Sequence, residues 1–439
     1  MSSLIFPRAL TTKWIVIGIV LGGCSGAADN TGAEADASEV DAMNSLSDAS
    51  PVVDAGQSPD AGQSPSDAAT MITDAATPLP GALRSPPYLM WVTDSEVTVR
   101  WETESAVVGY VDFGTTSGLG RLATENAAGT SHEVRLTGMQ AGTVHYYRIG
   151  WDGYGLETET FSTAPPDGNT DFRFVAWGDN QDGPDDFETI TGLMDLESPD
   201  FAISSGDCVQ NGTRGEYRSQ LFEPISALAD HVPFLVGAGN HERYSDSGAD
   251  LFNEYMSQPG DEHCFGWRYG GVYFMFIDTE LDIDPGTPQG DCIANALSSP
   301  RATSAAFRAA VFHKPPRVNW WFGGSLAFTN EMEAPWVRET LEPMLESLDV
   351  DIVFNGHNHL YAYTPETSGG ITWVTSGGGG GQIDTDFGLW RVGNWSAITE
   401  TRHENHFLVV DVVGSDMTVR AINIAGQEIH QFTISSDMP

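Results

Sequence analysis

The chain has 439 residues, of which 61 are acidic and 20 are Lys or Arg, for a formal net charge of −41 at pH 7. Hydrophobic residues make up 40% of it, enough for a folded core and over more length than one ordinary domain needs. With Lys314 the only lysine after Lys13, the composition excludes the basic surface that nucleic-acid binding requires, and it repels anionic ligands at long range.

Arg8 and Lys13 precede an apolar run from Trp14 to Leu21, too short to span a bilayer and matched to the core of an export signal. The run ends in Leu21-Gly22-Gly23-Cys24, which resembles a bacterial lipobox. That resemblance implies a signal peptide over 1–24, cleavage at Cys24 and its lipidation. Ser25 would favour the outer membrane, so the expected place is the periplasm or cell surface of a bacterium. A plain secretory signal with an incidental Cys24 stays open. Residues 25–83 are Ala, Asp, Ser, Pro and Gly with ten acids and no base, and nearly repeat themselves at Asp54–Pro59 and Asp60–Pro65. Such a segment cannot bury enough apolar surface to fold and predicts a disordered tether.

Over 84–165, alternating apolar and polar residues predict strands at Val97–Glu102, Val107–Phe113, His132–Leu136, Val144–Gly150 and Glu159–Thr163, a small all-β sandwich. Trp101 and Tyr146 take the places of a core aromatic pair, and His132 and His145 read as structural. From Asp171 onward short buried strands alternate with helical stretches. The strands are Phe172–Trp177, Phe201–Ser205, Pro233–Val236, Val272–Asp278, Ala309–His313, Asp351–Asn355 and Ile371–Ser376; the helices are Asp185–Leu196, Glu216–Ala229 and Pro335–Leu348. Gly377–Gly381 reads as a loop near the site, and Phe407–Val412, Met417–Ile424 and Ile429–Ile434 as closing strands of a second sheet. Cys264 and Cys292 are candidates for a disulfide, while Cys208 reads as a small buried residue.

Four motifs, most of them after these strands, carry the chemistry: Gly178-Asp179, Gly206-Asp207, Gly239-Asn240-His241-Glu242 and Gly356-His357-Asn358-His359. A fifth, Val311-Phe312-His313-Lys314-Pro315-Pro316, falls between the third and the last. Two cations about 3.5–4 Å apart can clamp a phosphate and activate a water. Such a pair needs a bridging carboxylate, neutral imidazoles and an amide oxygen. Taken singly, a Gly-Asp pair or a His-x-His is unremarkable; five in this order resemble the signature of the calcineurin-like metallophosphoesterases. Pro86-Pro87-Tyr88 and Phe161-Ser162-Thr163-Ala164-Pro165 resemble the borders of a fibronectin type III module, which purple acid phosphatases carry before their catalytic domain.

The resemblance implies an α/β fold, a two-sheet α/β/β/α sandwich over 170–439 preceded by the fibronectin type III-like sandwich of 84–165. It also implies two metal ions per chain, of iron, zinc or manganese. By the same resemblance Asp179 and His359 would hold the first metal, Asp207 would bridge, and Asn240, His313 and His357 would hold the second. His241 would stand beside the phosphate to stabilise charge or protonate the leaving oxygen, with Glu242 orienting it or standing behind the ligands. Two positions depart from the family. Gln210 replaces the tyrosine that colours purple acid phosphatases, and Gln181 replaces a histidine two residues after the first Asp. Gln181 would bind the first metal by its amide oxygen or hold a metal-bound water. Trp320, Trp321, Phe322 and Phe328, with Gly323-Gly324 between, would wall the substrate pocket or pack as an insertion, and Lys314 or Arg317 would meet a phosphate oxygen.

The expected function is a dinuclear-metal phosphoester hydrolase, in the first instance a phosphomonoesterase. A phosphodiesterase or nucleotidase shares the motifs, and a tethered binding protein without catalysis is the contrasting class. Expected partners are a phosphorylated substrate and a membrane reached through the lipid anchor alone.

Overall fold

Alternation of large apolar side chains along short strands builds the centre of the molecule. In Asp171–Trp177, Phe174 and Ala176 face one core while Val175 and Trp177 face another. The computed structural model describes residues 82–152, 154–246, 248–260, 262–322, 334–367, 369–383, 389–391, 393 and 395–436. The signal-like segment, Cys24 and the tether up to residue 81 lie outside the described residues, as do Gly323, Gly324 and Phe328. Leu83, expected in the tether, already begins a strand, Leu83–Met90.

Two mixed sheets face each other among the described residues. The first has nine strands in the order Glu428–Ser435, Asp416–Asn423, His406–Val413, Asp171–Trp177, Phe201–Ser204, Phe234–Val236, Leu83–Met90, Glu96–Val107 and Gly129–Thr137. The second has seven, in the order Cys264–Tyr269, Val272–Ile277, Phe307–Phe312, Ile352–Asn355, Thr372–Ser376, Tyr361–Thr364 and Glu400–Arg402. Phe174 of the first sheet meets Phe274 and Phe354 of the second edge-on, with ring centroids 5.4 and 5.9 Å apart. Burying side chains of this size contributes roughly 1.5–3 kcal/mol each. Helices cover both outer faces: Phe187, Ile190 and Met194 of Pro184–Leu196 pack on the first sheet, and Ile293, Val337, Leu341 and Leu345 on the second. This is the expected α/β/β/α sandwich.

Three expectations change. The strands from 406 to 435 belong to the first sheet, because His406–Val413 pairs antiparallel with Asp171–Trp177 (Val410 opposite Phe174). Tyr147, not Tyr146, is the buried tyrosine of Val144–Trp151, because a period of two turns His145, Tyr147 and Ile149 inward together; Trp101 stacks instead on His132. The helix read at Glu216–Ala229 is broken into Arg214–Glu216, a π-helical Tyr217–Phe222 and Ser226–Ala229, around Pro224, which has no N–H to offer. The strands of 84–165 also form a smaller sheet, in which Gly109–Gly114 pairs with Arg121–Thr124 and with Val144–Trp151. They join the first sheet where Met90 pairs parallel with Phe234. A disulfide links Cys264 to Cys292, and Cys208 is a buried free thiol.

Candidate metal centre

Parallel strands of both sheets end at one place. In the first sheet Asp171–Trp177, Phe201–Ser204 and Phe234–Val236 run side by side and deliver Asp179, Asp207 and Asn240 in the loops that follow. In the second, Phe307–Phe312 delivers His313, Ile352–Asn355 delivers His357 and His359, and Thr372–Ser376 delivers the glycine run. Open α/β sheets place their sites at such strand ends.

The loops are strained where the carboxylates sit. Asp179, Asp207 and His357 have φ of +62°, +55° and +67°, a conformation costing roughly 1–2 kcal/mol for an L residue. Cross-loop hydrogen bonds offset this. Asp179 N–H donates to Gly206 O, His357 N–H lies 2.9 Å from both Asp179 oxygens, and His241 N–H donates to Asp207 Oδ1 at 2.9 Å. Two glycines make the approach possible. A Cβ at Gly239 would fall 2.2 Å from Asp207 Oδ1, and one at Gly356 2.2 Å from Asp179 Oδ2. Within the glycine run, Gly381 N–H donates to Asp179 O, so this loop does lie at the site.

Asp207, His313 and His357 converge. His313 Nε2 is 2.9 Å from Asp207 Oδ2, and His357 Nδ1 is 3.2 Å from His313 Nε2. Donor atoms bound ~2.0–2.1 Å from one tetrahedral ion stand about 3.3 Å apart, so the spacing suits a shared cation. His313 Nδ1 lies 3.1 Å from Ser205 O and donates to it, which leaves Nε2 as the ligand atom. Opposite this group, His359 Nε2 lies 3.4 Å from Asp179 Oδ1 and 3.2 Å from Gln181 Nε2, with its Nδ1–H on Gln382 O. Gln181 Nε2 is also 3.5 Å from Asp207 Oδ2, so Asp207 stands between the two groups, as a bridge must. Asn240 Oδ1 and Gln181 Oε1 are buried without a hydrogen-bond partner. A bare amide oxygen such as Asn240 Oδ1 is what a hard cation would satisfy, and with the carboxylates and imidazoles it makes a donor set that fits; Gln181 turns its Nε2 toward His359 and Asp207, so its amide would have to turn over to ligate.

Charge follows the same geometry. Burial disfavours the imidazolium of His313, but Asp207 and Asp179 outweigh it and push the ring up to about 9. Burial likewise works against the Asp207 carboxylate, yet His313, His241 and His357 hold it well below the usual range. A cation arriving here would displace the His313 proton and take over its role.

Glu242 takes the second of its two expected places, behind the ligands, while Lys314 and Arg317 depart from expectation. Glu242 does not touch the His241 ring; its carboxylate accepts the N–H groups of Asp207, Cys208 and Gly239, at 3.1, 2.7 and 2.7 Å. Burial and the charge of Asp207 raise it to about 7 against the N–H groups of Cys208 and Gly239 and the charge of His313. The His241 ring is set instead by the backbone of Gln210, whose carbonyl accepts its Nδ1–H at 2.7 Å. Lys314 pairs with Glu280 at 2.8 Å and Arg317 with both oxygens of Glu342 at 2.8 Å, so carboxylates already occupy the two cations expected at the phosphate. Asn358, between two of the histidines, was given no role by its motif. Its Nδ2 donates to Trp320 O at 2.8 Å, tying the site to the two-stranded ribbon of Trp320–Phe322 and Leu389–Arg391. No sequence signal separates such an asparagine from any other loop amide.

Comparison with known proteins agrees with this architecture. Residues 172–361 match the family model for the calcineurin-like phosphoesterase. Purple acid phosphatase 15 of Arabidopsis thaliana is 26% identical over 270 residues, covering 53% of this chain and 49% of that protein. A relative from the same plant named as a probable inactive purple acid phosphatase 27 is 26% identical over 238 residues, covering 47% and 38%. The chain thus spans half or less of the length of these two relatives. The solved structure of the purple acid phosphatase PPD1 from yellow lupin, Lupinus luteus, superposes with a TM-score of 0.69 at 21% identity, covering 81% of this chain and 74% of that one. At that identity the likeness speaks for the fold. Residues 172–361 of this chain form a calcineurin-like phosphoesterase domain.

Proposed function

We propose that the chain is a metal-dependent phosphoester hydrolase that acts on phosphomonoesters, exported and held at a membrane surface by a lipid on Cys24. The observation that carries the hydrolase reading is the convergence of the Asp207, His313 and His357 donor atoms, together with an Asn240 Oδ1 that is buried without a hydrogen-bond partner. The likeness to purple acid phosphatases supports the monoester reading. The signal-like run and Cys24 support the anchored one. Asp179, His359 and Gln181 would hold the first cation, and Asn240, His313 and His357 the second, with Asp207 between; iron, zinc and manganese all suit the set. Bound there, two cations supply Lewis acidity, which neutralises a phosphate and makes water nucleophilic near neutral pH.

The chain's own groups do the rest. His241 keeps Nδ1–H on Gln210 O, so its Nε2, 3.8 Å from Asp207 Oδ2, is the atom that would carry a proton to the departing oxygen. Glu242 holds the Asp207 and Gly239 loops at one spacing by accepting from both.

The test is metal analysis of the purified protein beside hydrolysis of p-nitrophenyl phosphate and of bis(p-nitrophenyl) phosphate. Two metals per chain and preference for the monoester are expected, both lost in Asp207→Asn. Preference for the bis ester would turn the reading to a phosphodiesterase. Full turnover in Asp207→Asn would remove the bridge.

A further inference from the structure

The turn that follows Asn240 carries a side chain that neither the ligand set nor the proton donor accounts for, Tyr244. The 3₁₀ turn His241–Arg243 folds the chain back, with Arg243 N–H on Asn240 O and Tyr244 N–H on His241 O. That return sets the Tyr244 hydroxyl 2.9 Å from Asn240 Nδ2 and its ring over the His241 imidazole, centroids 4.3 Å apart. One side chain therefore touches both the amide expected at the second cation and the imidazole expected at the leaving group. At 57% relative exposure it is no core residue, so packing does not explain its place.

A primary amide has a donor end and an acceptor end, and only the acceptor end binds a cation. Asn240 Oδ1 is buried without a partner while Nδ2 lies on the Tyr244 hydroxyl. An oxygen that accepts the amide N–H leaves the carbonyl end for the metal; the amide turned over would aim two hydrogens at a cation. The ring does a second job by limiting rotation of the imidazole, whose Nδ1 is already held by Gln210 O.

We propose that Tyr244 is a positioning residue that sets two functional groups at once: its hydroxyl orients the Asn240 amide for the second metal, and its ring steadies His241 for proton transfer. The inference rests on the phosphoesterase reading for its second half only.

Four variants separate the parts: Tyr244→Phe, Tyr244→Leu, Asn240→Ala, and Tyr244→Phe combined with Asn240→Ala. Metal-free protein is titrated with zinc by calorimetry, and kcat is measured on p-nitrophenyl phosphate and on glycerol phosphate. Groups that orient a metal ligand are typically worth 10–100-fold in affinity. Tyr244→Phe should weaken the second zinc by about that factor, with turnover rescued by excess zinc. Tyr244→Leu should weaken zinc equally and also lower kcat at saturating zinc, more for glycerol phosphate, whose alkoxide needs the proton. In the Asn240→Ala background the Phe substitution should weaken zinc no further, since its target is gone. Unchanged second-zinc affinity in Tyr244→Phe, or an equal loss in both backgrounds, overturns the hold on Asn240. Equal kcat losses on the two esters in Tyr244→Leu overturn the hold on His241. If the wild type binds two zinc ions and hydrolyses neither ester, the phosphoesterase reading falls, while the zinc comparison still decides the role of the hydroxyl.

Discussion

The Nε2 atom of His241 stands 3.8 Å from Asp207 Oδ2, beyond hydrogen-bond contact, while its Nδ1–H is spent on Gln210 O. That arrangement separates it from His313, whose Nε2 touches Asp207 Oδ2 at 2.9 Å. General acid catalysis typically contributes 10²–10⁴-fold. His241→Ala should therefore lower kcat by roughly that range, with the metal content unchanged and the loss smallest for good leaving groups. Metal analysis beside a leaving-group series checks this, and loss of metal would make His241 a ligand. Both histidines are visible in the sequence as motif members. Their different roles follow from which backbone carbonyl each Nδ1–H finds, Gln210 O or Ser205 O, and those carbonyls come from loops some 30 and 108 residues away.

Helix Pro184–Leu196 has two acids in its first turn, where the helix dipole favours them, and no base in its last, where Asp195 is unfavourable. His231 answers that defect from another loop. Its Nε2 lies 2.9 Å from Asp195 Oδ1 and its Nδ1 2.7 Å from Asp230 Oδ1. The hydrogen bond to Asp230, opposed by burial and helped by the charges of Asp230 and Asp195, raises the imidazole above its ordinary value. A raised folded-state pKa stabilises the fold fully below the unfolded value and loses that contribution as pH rises through the folded one. His231→Gln should then lower Tm at about pH 6, below the ordinary histidine value, and much less in alkali. Thermal melts across that range check the prediction; a difference that grows with pH would refute it. The helix itself is legible in the sequence from its apolar spacing. The Glu216–Ala229 stretch is less so, because a proline in mid-pattern and the partner surface together decide between α and π winding.

Charge acts on the whole molecule. A chain with a net charge of −41 repels a phosphomonoester dianion until it is close to the cations, and salt screens that repulsion. kcat/KM for p-nitrophenyl phosphate should rise with ionic strength, and rise less for the singly charged bis ester. A fall with salt would mean that local attraction governs the encounter. The anchored reading makes its own prediction. Among the described residues no helix is long and apolar enough to cross a membrane. On the anchored reading, Cys24→Ala should move the protein from the membrane pellet to the soluble fraction, as judged by fractionation after a salt wash. Sedimentation of the variant with membranes would defeat the lipid anchor.

Properties that depend on neighbours in the chain could be read from the sequence: the order of motifs, the strands that precede them, and the residue types two cations need. Asp179, Asp207, Asn240, His357 and His359 are recognisable because a strand end followed by a short glycine-bearing loop is a local design, and His313 because it stands at a strand end just before Lys314-Pro315-Pro316. Properties that depend on which strands lie side by side could not be read that way. The antiparallel docking of His406–Val413 on Asp171–Trp177 joins residues more than 200 positions apart, and both strands carry buried apolar residues on both faces, so periodicity alone names no partner. The contact of Tyr244 with Asn240 and His241 is local to one turn, and no motif marks it. Glu242 belongs with the strand pairings, since it collects N–H groups from two loops. Its role exists only once the loops meet, because a hydrogen bond is decided by distance in space and not by spacing along the chain.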